Sequence, residues 1–174
     1  MKQKSTAQKI ALSGVLIAFA VIFGTFSIPL GAARLSPLQS FVNVVGAIVL
    51  GPVYALANAF IAALIRNILG VGTLLAFPGS IIGAGIAGIF YVKFKKLIAA
   101  VIGEVIGTGI IGAIVAYPVA KFLIGKEGAV YAFVIPFALS SIFGGIVAYL
   151  FLKIPVITKA LIDNQDNKKL LKKN

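Results

Sequence analysis

Residues 97–122 read LIAAVIGEVIGTGIIGAIVAYPVAKF, and before Lys121 the only charged side chain in the run is Glu104. A hydrocarbon core of ~30 Å takes roughly 20 apolar residues as a helix. In lipid that helix must satisfy its own backbone hydrogen bonds. The stretch therefore predicts a membrane-spanning helix. Working outward, LIGKEG separates it from a further apolar segment at 129–152, and KFKK separates it from one at 79–92. Earlier segments fall at 10–26, 38–50 and 53–69, divided by SIPLGAARLSP and by Gly51-Pro52. The loop GVGTLLAF leads to Pro78. Pro52 and Pro78 stand where helices are predicted to begin, a position that tolerates a missing N–H. The second and fourth segments are short, which predicts partial or tilted spans.

Composition agrees with this reading. The chain has 174 residues, of which 60% are hydrophobic and 11% charged, with a mean hydropathy of +1.10. A soluble domain carries roughly 25% charged residues, so a water-soluble globule and a disordered chain are both excluded. The fold expected is an all-α integral membrane bundle of six helices, residues 1–154, with a basic tail at 155–174. Within the tail, Val156, Ile157, Leu161 and Ile162 predict an interfacial helix ahead of KKLLKK.

There is no Cys and no His, and the carboxylates are Glu104, Glu127, Asp163 and Asp166. Thiol chemistry, Cys-His metal sites and imidazole acid–base catalysis are therefore excluded. An enzyme is not expected, nor is a metal or a cofactor. The net charge of +12 comes from lysines between the apolar segments and in the tail. It reads as topogenic charge facing anionic lipid rather than as a nucleic-acid surface.

Six spans put both ends on one side. That side would carry Lys2, Lys4, Lys9, Lys93, Lys95, Lys96, Lys153, Lys159, Lys168, Lys169, Lys172 and Lys173. The other side would carry Arg34, Lys121 and Lys126, offset by Glu127. Positive charge marks the cytoplasmic side, so both termini are expected in the cytoplasm of a cell-membrane protein. The lysines ahead of the first apolar run also resemble a signal peptide. An uncleaved first helix is the expectation, since its removal would leave five spans and a mismatched charge pattern.

Polar residues in lipid are costly, so their positions inform. In this topology Gln39 and Asn43, four apart on one helix face, lie near the outer ends of the helices. So do Arg66, Asn67, Thr73, Phe77, Ser80, Tyr117 and Tyr131. Amides, a guanidinium, hydroxyls and rings at one depth suit a small polar heterocycle. Each also has a plainer reading. Arg66 either contacts substrate, organises the pocket or snorkels. Gln39 and Asn43 either bind ligand or join neighbouring helices. Tyr117 and Tyr131 fit an interfacial belt, and Ser80 fits a helix cap or a backbone bond. Glu104 lies deeper, about 10 Å from the cytoplasmic end of its helix at 1.5 Å per residue, too far along for a direct pair with Arg66. Small residues form a second pattern: Gly14 and Ala18 in the first segment, and glycines throughout the fifth and sixth. Such faces let helix backbones approach closely.

The stretches RLSPLQSFVNV, LGPVYALANAF, IRNILGVGTLLAFPGS and GEVIGTGIIGAIVAYP, spanning 34–118, carry a resemblance. The chain resembles the substrate-binding S component of an energy-coupling-factor (ECF) vitamin transporter, and more closely the ThiW family, the thiazole-specific S components. That resemblance implies capture of a thiamine precursor, 4-methyl-5-(2-hydroxyethyl)thiazole, at the outer face for ATP-driven uptake. It implies docking through the first helix onto a transmembrane T component joined to two ATPase subunits. An Ala-xxx-Ala pattern forms that docking surface in the family, and here Gly14 and Ala18 hold the matching positions. The candidate ligand-binding set is Gln39, Asn43, Arg66, Asn67, Phe77, Ser80, Glu104, Thr108 and Tyr117. No phosphate-binding loop of the form G-x-x-x-x-G-K-[ST] is present, so ATP work falls to partners. Arg34 and Arg66 oppose a cationic ligand such as intact thiamine and favour a neutral or anionic one. The competing reading is a self-sufficient secondary carrier or small channel for a small polar heterocycle. It would need polar groups through the whole membrane or an inverted repeat.

Overall fold

The computed structural model describes residues 4–30, 33–123, 125 and 131–162, with Tyr131 by its backbone alone. Helix α1 (Thr6–Gly24) opens on a capping box: Ser5 Oγ accepts from Gln8 N at 3.2 Å and Ser5 N donates to Gln8 Oε1 at 3.1 Å. The next connection, expected as a loop, is a small antiparallel hairpin, with β1 (Ile28–Leu30) paired to β2 (Ala33–Leu35). Pairing lets the two segments satisfy each other's backbone at the end of the bundle. Pro29, which has no N–H to give, is tolerated because the hairpin has only edge strands.

Helix α2 (Pro37–Leu50) has fourteen residues and is about 21 Å long at 1.5 Å per residue. From Gln39 to Leu50 every residue except Phe41 is buried, as befits a helix that is apolar almost all round. It touches α1 and, introduced next, α3, α4, α5 and α7, so it is the hub of the bundle. Gly51 alone joins it to α3 (Pro52–Ile68). Its φ of +89° lies in the region that favours glycine, and Pro52 starts α3.

Helix α4 (Ala76–Phe94) has nineteen residues, so the expectation of a short fourth segment is corrected. The helix begins before Pro78, which sits in its first turn, where an N–H has no intrahelical acceptor. α5 (Leu97–Glu104), a π-helical segment (Val105–Gly112) and α6 (Ala113–Leu123) form one continuous rod. The π-helical turns depart from the straight α-helix expected. They coincide with a close approach to α4. A Cβ at Gly107 would lie 2.7 Å from Gly83 Cα, and one at Gly112 would lie 2.7 Å from Gly79 Cα. α7 (Tyr131–Lys153) and the short α8 (Pro155–Leu161) follow. Lys4 Nζ donates to Leu161 O at 2.7 Å, tying the start of the chain to the end of α8. Burial and the neighbouring Lys9 pull the Lys4 ammonium below its ordinary range. The predicted tail helix corresponds to α8; KKLLKK lies outside the described residues.

Among the described residues, four helices are long and apolar enough to cross a membrane: α1, α4, the α5–α6 rod and α7. Helices α2 and α3 are shorter and apolar. The molecule is a membrane-embedded helical protein. Its basic end, where α1 and α3 start, is filled by Val44, Val45, Ile48, Val49, Leu50, Val101 and Leu152. The opposite end holds buried polar groups.

Candidate functional site

At that opposite end α1 and α3 finish while α2 and α4 begin. Each contributes its first or last turns, and the middle of the long rod and of α7 reach the same depth. Gln39, Ser40, Asn43, Arg66, Ser80, Glu104, Thr108 and Ser140 are all buried. Polar groups removed from water need partners, and here they form a chain. Arg66 donates through Nη1 to Gln39 Oε1 at 2.9 Å. Gln39 Nε2 donates to Asn43 Oδ1 at 3.4 Å. Asn43 Nδ2 donates to Glu104 Oε1 at 3.0 Å and to Ser80 O at 3.3 Å. Thr108 Oγ1 lies 2.8 Å from Glu104 Oε1 and 3.1 Å from Gly79 O, so its single proton serves one acceptor at a time.

The chain has a fixed polarity. A guanidinium only donates, so Arg66 sets the direction of the whole chain. With Arg66 at one end and Glu104 at the other, the Gln39 and Asn43 amides are each held in one orientation. The two ends do not touch, as the sequence suggested. They communicate through two amides one helical turn apart on α2.

This chain forms one wall of a cavity with room for about 50 Å³ of water-sized contents. Arg34, Ser36, Gln39, Ser40, Asn43, Arg66, Thr73, Ala76, Gly79, Ser80, Thr108, Phe137 and Ser140 line it. That space is smaller than the usual small-ligand site of roughly 300–1,000 Å³. Arg34, from β2, stands at the mouth and donates to Val71 O at 3.2 Å. Ser140 receives Ser36 N at 2.9 Å and donates to Pro136 O at 2.7 Å, which ties α7 to the start of α2.

Of the expected residues, the structure brings Gln39, Asn43, Arg66, Ser80 and Thr108 together on the cavity wall. Glu104 lies behind Asn43 and Thr108, fully buried and not on the lining. Its Oε1 is bonded, and its Oε2 has no partner among the described residues. Asn67 is not on the lining either. Its Nδ2 donates to Ala63 O and Thr73 O, which holds the turn before α4 in shape. Phe77 packs on Phe60, with ring centroids 5.7 Å apart, and Tyr117 packs edge-on to Phe133. Both rings lie away from the cavity, whose aromatic wall is Phe137. The side chain of Tyr131 lies outside the description.

Sequence reasoning missed Ser36, Ser40, Ser140 and Phe137. Ser36 and Ser40 were findable, since they share the four-residue spacing of Gln39 and Asn43. Ser140 and Phe137 lie within an apolar helix, and only the packing of α7 against the start of α2 turns them toward the cavity.

Gly14 and Ala18 lie far from this cavity wall, on the exposed face of α1, and nothing stands within 4 Å of a Cβ built at Gly14.

A helical membrane protein with a buried polar cavity at one end belongs, by build, with the proteins that handle small solutes at membranes. The family model described as thiamine-precursor transporter protein (ThiW) matches residues 10–157, and the chain belongs to that family. Comparison with curated proteins and with solved structures returns no match.

Proposed function

We propose that the chain is the substrate-binding S component of an ECF importer, capturing a thiamine precursor of the hydroxyethylthiazole type at the outer face of the cell membrane. In this reading all six apolar segments span, both termini are cytoplasmic, and the cavity opens outward. The carrying observation is that the polar chain stops. Below Glu104 the interior is filled by the apolar cluster around Val45, Ile48 and Leu152, and the buried Asn58 Nδ2 and Ser13 Oγ have no hydrogen-bond partner among the described residues that would extend the chain. Such a molecule holds a solute but has no conduit of its own. Movement across the bilayer then falls to a T component and two ATPase subunits, docked on the small exposed face of α1 at Gly14 and Ala18.

The cavity chemistry supports a neutral or anionic ring over a cation. Arg34 and Arg66 are charged groups on its lining, and Glu104 is set behind it. The second N–H of Gln39 is free to donate to a ring nitrogen or hydroxyl, and the Ser80 and Thr108 oxygens can accept. Phe137 offers a face for a small ring. The test is a parallel titration of purified protein with hydroxyethylthiazole, hydroxymethylpyrimidine and thiamine. The reading expects the thiazole to bind most tightly and thiamine most weakly; preferential thiamine binding would overturn it. Uptake by vesicles holding this chain alone would instead favour a self-sufficient carrier.

A further inference from the structure

Helix α1 is lightly embedded. Along its nineteen residues only Ser13, Ala20 and Gly24 are buried, and it rests on α2 and α3. Gly24 is the point where it meets the cavity wall. Arg66 donates from Nη2 to Gly24 O at 2.9 Å while Nη1 holds Gln39 Oε1 at 2.9 Å. The guanidinium lies hard against the glycine: a Cβ at position 24 would stand 2.5 Å from Nε and 2.6 Å from Cζ. Gly24 O belongs to the last turn of α1, where carbonyls lack intrahelical partners and partial negative charge collects. Arg66 is 3% exposed, and its Nε has no partner among the described residues. One cation thus closes the end of α1 and, with Gln39, lines the cavity.

We propose that Arg66 couples the cavity to α1, with Gly24 as a positioning residue. A ligand seated against Arg66 and Gln39 holds the guanidinium on the Gly24 carbonyl and fixes the end of α1. The end of α1, in turn, holds Arg66 in place for the ligand. The inference rests on the cavity being the ligand site. Coupling between sites is reciprocal, so a displaced α1 weakens binding as surely as a bound ligand steadies α1. Because α1 exposes Gly14 and Ala18, occupancy of the cavity sets the position of the face offered to a membrane partner.

The chain has no cysteine, so spin labels can be placed without background. Phe26→Cys and Phe122→Cys put them on two exposed side chains, 72% and 77% accessible, just beyond α1 and at the end of α6. Pulsed EPR of the full chain in lipid nanodiscs, with hydroxyethylthiazole as the probe, reads the distance between them. The expected result is a distribution that narrows when the probe saturates. With Gly24→Ala added, saturating probe should leave the distribution broad. Affinity should fall roughly tenfold or more, as for loss of one charge-assisted hydrogen bond. Arg66→Lys, which replaces a two-pronged contact by one ammonium, should act in the same direction, and the unsubstituted comparison needs no variant to fold. Bound probe with no narrowing, or equal narrowing with Gly24→Ala, overturns the coupling and leaves the site standing. If the labelled parent binds none of hydroxyethylthiazole, hydroxymethylpyrimidine and thiamine, the cavity reading fails and takes the coupling with it.

Discussion

Helix α2 passes through two environments in a single length. Its first turns carry Gln39, Ser40 and Asn43 into hydrogen bonds with α3, α4 and the long rod. Its last turns carry Val45, Ile48 and Val49 into purely apolar contact with α5 and α7. Both halves are buried, but they are held by different forces. The apolar half is non-directional and tolerates similar shapes. The polar half depends on direction, since removing one partner strands the others away from water. One helix can therefore combine a stable body with a selective site, because each half can change without rewriting the other.

The sharpest way to break the comparison is Asn43→Leu. It is near in volume, but it removes the Asn43 donor from Glu104 Oε1, leaving Thr108 there alone, and takes the acceptor from the Gln39 amide. Leaving a buried polar group short of a partner costs on the order of 1–3 kcal/mol. A large fall in thermal stability without ligand is expected, together with binding too weak to titrate. Unchanged affinity would remove Asn43 from the site. Leu152→Ala, on α7 against the apolar half of α2, should also destabilise, by about 2–5 kcal/mol. Its affinity per folded molecule should hold, which separates the two halves. A smaller effect is expected from glycine replacements. Gly83→Ala drives its methyl onto Thr108 Oγ1 and to 2.7 Å from Glu104 Oε2. An overpacking cost of roughly 1–3 kcal/mol and a loss of affinity should follow. Gly46→Ala on α2 meets nothing nearer than 3.7 Å and should be nearly silent in both assays.

The two halves are unequally legible in the amino-acid sequence. Long apolar runs and lysine placement make the membrane helices legible, because the energetic demand of lipid is written residue by residue. Gln39, Asn43 and Arg66 are legible as candidates because polar groups are rare there. Their order in a hydrogen-bonded chain is not, since it depends on how α2 and α3 turn relative to one another. The π-helical turns at 105–112 leave only a glycine-rich signature, and that signature also suits an ordinary close-packed helix. Phe77 and Tyr117 share the site's depth in the sequence. Depth does not say which side of a helix faces inward, and both rings turn to other aromatic partners. The hairpin at 28–35 was hidden by a segment too short to show alternation.

The smallest expected effect on the isolated chain is also the one that tests its place in a larger assembly. Gly14→Leu and Ala18→Leu add bulk to the exposed face of α1, where a Cβ at Gly14 meets nothing. Both positions are exposed, and no described residue stands within 4 Å of a Cβ at Gly14, so thermal stability and ligand affinity should stay within about 0.5 kcal/mol of the parent, as for substitutions away from packed features. If α1 docks on a T component by close helix approach, the same leucines hold the two backbones apart. Co-purification with that subunit and ATP-dependent uptake should then fall while ligand titrations stay flat. Parallel loss of binding would show that α1's outer face serves the fold and would remove the reason to place a partner there.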